Sequence, residues 1–128
     1  MRVLGIDPSL ASTGLALVDT DGPELLLSRT IKTSASRSHM ERLFALSVGV
    51  KSVLIDERIE SVAIETGLVN GKMWQAALAV AESRGVILLC LATDCLWVPT
   101  LMVQNSTAKK AVTGSGASKK QAVTAAIR

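Results

Sequence analysis

The sequence predicts an α/β domain: a five-stranded mixed sheet, its first three strands antiparallel, flanked by helices. Three observations point there. Three strand-like stretches at the N-terminus are joined by short turns, as in an antiparallel meander. The apolar period then switches from two residues to about 3.6. Beyond the switch, strand-like and helix-like stretches alternate.

Taken in order, Arg2–Asp7 alternates loosely and ends in Asp-Pro, a turn signal. Thr13–Asp19 is a second strand. Thr20-Asp21-Gly22-Pro23 turns the chain into a third, Glu24–Ile31. Asp19, Asp21 and Glu24 cluster there for turn reasons. Ser38-x-x-Glu41 is a capping box. Met40, Leu43, Phe44, Ser47, Val50 and Leu54 then recur at helical spacing as the expected inward face of a helix ending near Asp56. His39, in its first turn, is expected to face solvent. Glu60–Glu65 is a short fourth strand, followed by a polar loop, Thr66–Lys72. Met73–Thr93 is a helix apolar on most sides, which calls for burial on most sides: a sheet on one, a second subunit on the other. Glu82 and Arg84, its only charges, are expected to pair or to lie at a subunit boundary. Leu96–Val103 is a fifth strand, and Pro99 suits an edge or a strand end. A short helix, Asn105–Val112, capped by Asn105 or Ser106, precedes the turn Gly114-Ser115-Gly116. Ser118-x-x-Gln121 opens a last helix.

The 128 residues fit a single domain, 1–128. A chain of this size buries about 65% of its unfolded surface and folds without staples. With 48% hydrophobic and 20% charged residues, disorder is excluded as the main state. Phe44, Trp74 and Trp97 are the only aromatics, too few for a ladder of base-stacking platforms. Cys90 and Cys95 are too few for a disulfide framework and are expected as reduced core thiols. The chain opens directly on a strand, and no uncharged run reaches the roughly 18 apolar residues of a membrane span. A cytoplasmic protein is the expectation.

The net charge of +3 hides an asymmetry. Residues 1–94 hold nine Lys/Arg and all eleven acids, a balance of −2. Residues 95–128 hold Lys109, Lys110, Lys119, Lys120 and Arg128 and no acid, a balance of +5. Such a segment suits an anionic partner.

Two acids stand out by position. Asp7 ends the first strand and Glu65 ends the fourth, in otherwise apolar surroundings. If the strands are neighbours, the carboxylates converge and repel. A hard divalent cation relieves that repulsion, and such sites hydrolyse phosphodiesters. By position alone, Asp7 serves equally well as the start of a turn before Pro8, and Glu65 as a strand end.

Gly5-Ile6-Asp7-Pro8-Ser9 with Thr13-Gly14, Ala63-Ile64-Glu65, Ser83-Arg84-Gly85-Val86-Ile87-Leu88-Leu89, and Lys109-Lys110-Ala111-Val112-Thr113-Gly114-Ser115-Gly116 with Ser118-Lys119 follow one another along nearly the whole chain. This series closely resembles the RuvC family of Holliday-junction resolvases. The resemblance implies an RNase H-like fold, a homodimer, and Mg²⁺-dependent nicking (Mn²⁺ being the alternative ion) of two strands at a four-way DNA junction. It further implies a branch-migration helicase as partner. Asp7 and Glu65 match the family's catalytic, metal-binding aspartate and glutamate. The helix Met73–Thr93 matches the dimer helix, with Trp74, Ala77, Leu78, Ala81 and Arg84 expected at the interface. DNA contact is expected from Lys109, Lys110, Ser115, Lys119 and Lys120, and from Leu68, Val69 and Lys72 in the loop after the glutamate. Glycines and helix N-termini admit phosphate closely there, and the lysines of the last helix oppose its dipole unless an anion is bound.

Three departures stand out. Ser9 replaces a glycine usual in the family. The loop after Glu65 offers Leu68 or Val69 where relatives carry an aromatic wedge; Trp74 is the remaining candidate, but its place at a helix start suits core or interface better. The family completes its metal site with two further acidic positions on a C-terminal helix, and nothing after Asp94 is acidic. The expectation is a domain without that last helix, or one that binds junctions and cuts them poorly. A third reading, an ATP-binding fold of the sugar-kinase type, shares the Gly-Ile-Asp strand but needs a second lobe.

Overall fold

The computed structural model describes residues 1–67, 74–95 and 97–107. Five strands and two helices follow in the order β1 (Arg2–Asp7), β2 (Ser12–Asp19), β3 (Glu24–Lys32), α1 (His39–Asp56), β4 (Ser61–Thr66), α2 (Trp74–Asp94), β5 (Thr100–Gln104). They make one sheet of order β3-β2-β1-β4-β5. β1–β2 and β2–β3 are antiparallel, while β1–β4 and β4–β5 are parallel. The mixed sheet expected from the sequence is therefore present. β5 is an edge strand, which suits Pro99 at its entry.

Alternation decides the faces. Leu4 and Ile6 of β1, Leu15 and Leu17 of β2, and Val62 and Ile64 of β4 are buried. They meet Leu46, Val50, Val53 and Leu54 of α1 and Ile87, Cys90 and Leu91 of α2 in one core. Both helices thus cover the same face of the sheet. Cys90 and Cys95 are free thiols in this core, as expected, and burial pushes both above the usual thiol range.

α1 starts where the capping box places it: Ser38 Oγ accepts from the Glu41 amide at 3.2 Å, and Glu41 Oε2 from the Ser38 amide at 3.0 Å. Its inward face differs from the expected one. Met40 and Phe44 are 79% and 69% exposed, and Leu46 and Val53 take their place. The helix carries apolar residues on two sides, and contact with β3 selects between them. Gly49 marks that contact, since a Cβ there would sit 2.8–2.9 Å from three side-chain atoms of Ile31. Gly49→Ala is therefore expected to lower stability by about 1–2 kcal/mol, although alanine favours the helix by about 1 kcal/mol. Denaturant unfolding reads this, and an unchanged or raised midpoint would contradict the close packing.

β5 begins later than expected. Val98 N donates to Cys95 O at 2.9 Å, closing a turn that ends α2. Pro99 follows without an N–H to give, so pairing starts at Thr100. Residues 105–107 form a helical turn after β5. The rest of the expected Asn105–Val112 helix, the Gly-rich turn and the last helix lie outside the described residues.

α2 is long and apolar enough to cross a membrane by length and composition alone. Here it lies on the sheet through Ser83, Ile87, Cys90 and Leu91. Glu82 does not pair with Arg84: its carboxylate meets His39 Nε2 of α1 at 2.5 Å. His39, about half exposed, is thus an inter-helix contact as well as a solvated residue.

Candidate active site

β1 and β4 are parallel neighbours, in register from Val3 beside Ser61 to Ile6 beside Ile64. One further step sets Asp7 beside Glu65. Side chains alternate along a strand, so both carboxylates stand on the face away from the helices. Chain connections leave β1 and β4 toward opposite sides, and such a crevice at the carboxyl ends of strands is where sheets of this kind bind ligands.

The floor between them is small. Gly5, Gly14, Ala16 and Ala63 line a cavity of about 460 Å³ with Asp7, Glu65, Ser28 and Thr30. Bulkier residues would fill this groove, so among the described residues the carboxylates are reachable across the sheet face. Asp7 is exposed and Glu65 half-buried.

The backbone around Asp7 is fixed. Thr13, fully buried, donates through Oγ1 to Ser9 O at 2.5 Å and accepts from Ser9 N at 3.1 Å. Ser9 Oγ accepts from Ser12 N at 3.3 Å. The serine in place of a glycine therefore fits the turn and adds a hydrogen bond to it. On the other strand, β5 pairs Val103 with Glu65 and Gln104 with Thr66. The chain then turns so that Asn105 Nδ2 donates to Glu65 Oε1. Sequence reasoning placed Asn105 only as a helix cap. Its position just past the strand beside Glu65 is the signal that marks it.

The donor set suits a hard cation. Mg²⁺ is commonly held by one or two carboxylates, with water and substrate phosphate completing its shell. Asp7 and Glu65 supply that number. Among the described residues, no three of His, Cys, Asp and Glu come together.

The opposite end of the sheet is acidic. Asp19 and Asp21 hold the Met1 ammonium at 3.3 and 2.6 Å. The Asp21 amide and that ammonium keep the Asp19 carboxyl below its ordinary range. Glu24 pairs with Asp19 across the hairpin. Glu57, Glu60 and Asp94 line one hollow nearby, and Asp56 ends α1 beside it.

Of the expected interface residues on α2, Trp74 and Leu78 are 57% and 50% exposed, and Ala81 is exposed. Trp74 is therefore not a core residue. Ala77 and Arg84 are half-buried on the helix flank, so they do not share the outward stripe. Gly85, Leu89 and Ala92, absent from the expected set, fall on it at 3.6 residues per turn. Leu68, Val69, Lys72, Lys109, Lys110, Ser115, Lys119 and Lys120 lie outside the described residues.

Comparison with known proteins agrees with this architecture. Residues 3–128 match the family described as crossover junction endodeoxyribonuclease RuvC. The enzyme of that name from Rhodopirellula baltica is 32% identical over 98% of this chain and 71% of its own length. That from Sphingopyxis alaskensis is 34% identical over 99% of this chain and 81% of its own. The structure of Thermus thermophilus RuvC in complex with a Holliday junction substrate superposes with a TM-score of 0.88 at 29% identity, covering 100% of this chain and 78% of that one.

Proposed function

The chain belongs to the RuvC family of crossover junction endodeoxyribonucleases, and from that membership we propose that it resolves four-way DNA junctions by metal-dependent phosphodiester hydrolysis, as a homodimer. The observation that carries the reading is the pairing of Asp7 and Glu65 on the open face of the sheet. The family match leaves the ATP-binding alternative without support.

Asp7 and Glu65 would hold the divalent cation, Mg²⁺ or Mn²⁺, with open positions toward the groove. Held there, such an ion would supply the activation of a water and the stabilisation of the phosphodiester's leaving oxygen. The residues of the chain do the positioning. Thr13 and Ser9 fix the turn that carries Asp7. Asn105 orients the Glu65 carboxylate through Oε1. The glycine and alanine floor lets a sugar-phosphate backbone come down to the carboxylates. Lys109, Lys110, Ser115, Lys119 and Lys120 would contact phosphates, with Leu68, Val69 and Lys72 near the junction. Their support is the +5 balance of residues 95–128. Such contacts position the duplex without reading its bases. Two symmetric cuts need two sites, and an isologous dimer through the outward stripe of α2 supplies them.

The test is cleavage of a synthetic four-way junction by the full chain with and without Mg²⁺. Paired nicks that vanish in EDTA are expected. Tight, salt-sensitive binding without nicks in either Mg²⁺ or Mn²⁺ would instead favour a junction-binding domain. The two-carboxylate donor set among the described residues is the observation behind that second reading.

A further inference from the structure

The connection between β3 and α1 carries cations that the fold does not use. Residues 29–42 hold Arg29, Lys32, Arg37 and Arg42 against one acid, Glu41, although residues 1–94 as a whole balance to −2. Glu41 is turned back into the capping box of α1. Arg29 reaches Ser52 on the helical side at 3.1 Å. Lys32 and Arg37 are exposed, and among the described residues neither meets a carboxylate.

Register places this connection at the catalytic end of the sheet. Asp7 pairs with Gly14 and Gly14 with Thr30, so the three form one row across β1, β2 and β3. Lys32 lies two residues farther along β3, beside Ser12. Alternation puts it on the face of Thr30, which is the face of Asp7 and Glu65. Two strand spacings sideways and two residues forward separate Lys32 from Asp7 by roughly 12 Å. Arg37 follows in a turn that its own amide closes on Ser34 O at 3.1 Å.

The loop is braced against the turn that carries Asp7. Thr33 N donates to Ala11 O at 3.1 Å, and Thr33 Oγ1 to Leu10 O. Arg42 Nε, in the first turn of α1, donates to the same Thr33 hydroxyl at 3.0 Å. Residues 10–11 belong to the connection from Asp7 to β2, so the loop and the carboxylate share one frame. The 18-residue α1 points the positive end of its dipole the same way.

Unpaired cations held at a fixed distance from a phosphodiester site suit a polyanion with regularly spaced charges. We propose that the β3–α1 loop is a second DNA contact, in which Lys32 and Arg37 hold phosphates of the junction arm leading away from the cleavage site. This rests on the resolvase reading above and extends its footprint on DNA. α1 packs over β3 through Gly49 and Ile31, which leaves α2 and the proposed two-fold on the far side of α1. The loop therefore lies on the outer flank, where an arm leaves the junction. Phosphates advance about 3.4 Å per nucleotide along one strand, so the contact falls roughly three to five nucleotides from the cleaved bond. It reads no base; it fixes the angle of the arm, and so which phosphate comes to the carboxylates.

The experiment is a salt titration of four-way-junction affinity in EDTA, with the full chain and with Lys32→Gln, Arg37→Gln and both together. Arg58→Gln, a cation at the opposite end of the sheet, is the control. All three side chains are exposed, so the variants should fold, and far-UV circular dichroism checks this. Each loop change is expected to lower the slope of log affinity against log salt by about one, and the pair to weaken binding about ten-fold. Arg58→Gln is expected to match the wild type. Single-turnover nicking at saturating protein should keep the wild-type rate. Neutral methylphosphonates scanned along both strands of the arm locate the contact. Those roughly three to five nucleotides from the cleaved bond should weaken the wild type and leave the double variant unaffected. An unchanged slope in the double variant, or an equal loss in Arg58→Gln, would overturn the inference while the resolvase reading stands. So would neutral phosphates that weaken the wild type and the double variant alike. A wild-type chain that neither binds nor nicks junctions would remove the resolvase reading, and this inference with it.

Discussion

Asp7→Asn is expected to reduce junction nicking by about three orders of magnitude while leaving junction affinity and stability nearly unchanged. Asparagine keeps the shape of the side chain and removes the charge that a cation needs. Asp7 is the last residue of β1 and is exposed, so the change disturbs no packing. Surface changes of this kind alter stability within about 0.5 kcal/mol. The argument for so large an effect is the donor count. With two carboxylates side by side, losing one removes half of the charge that neutralises the ion. Single-turnover cleavage in Mg²⁺, paired with a binding titration in EDTA, separates chemistry from affinity. Cleavage at the wild-type rate would remove Asp7 from the site and the proposed chemistry with it.

Leu89→Glu is expected to raise the dimer dissociation constant about 100-fold and to uncouple the two cuts. Leu89 is 65% exposed in the single chain, so a carboxylate there is hydrated and harmless to the fold. In the dimer the same group would be buried against an apolar partner without a counter-charge, a costly arrangement. A plasmid that extrudes a four-way junction reads the consequence. Paired cuts give linear DNA, and independent cuts give nicked circles that become linear slowly. A Leu89→Glu protein that still dimerises and still gives linear product directly would show that the two-fold contact lies elsewhere.

The two kinds of information in the chain were not equally legible. Strands β1 to β4 could be read to within a residue or two: β1, β2 and β4 alternate against one buried face, and β3 is bounded by the turn at Thr20–Pro23. The rotation of α1 could not. Met40–Phe44–Val48 and Leu46–Val50–Val53 are equally good helical stripes, and only contact with Ile31 and α2 selects the inner one. The candidate site was half legible. Asp7 and Glu65 each end an apolar strand, but their adjacency comes from parallel register between strands far apart in sequence, which no local pattern encodes. The contact of Asn105 with Glu65 depends on the register of β5 beside β4 and on where β5 stops, one residue beyond its expected end, and no local pattern sets either. The outward stripe of α2 was missed in part because a helix apolar on most sides has no sharp polar boundary from which to count.

The acidic end of the sheet gives the domain a direction. Seven of the eleven acids (Asp19, Asp21, Glu24, Asp56, Glu57, Glu60 and Asp94) gather at the end remote from Asp7 and Glu65, where the Met1 ammonium, Arg2 and Arg58 offset them only in part. Both helices end there without a basic residue in the last turn, so their dipoles add negative charge to the same pole. A DNA arm carries one negative charge for about every 1.7 Å of its length. Its field would turn this end away before any atom touches, so the domain is expected to arrive with the face of Asp7 and Glu65 foremost. The pole is thus a rudder rather than a binding site: it shortens the search for the productive orientation, and it acts most strongly at low ionic strength, where the field reaches furthest.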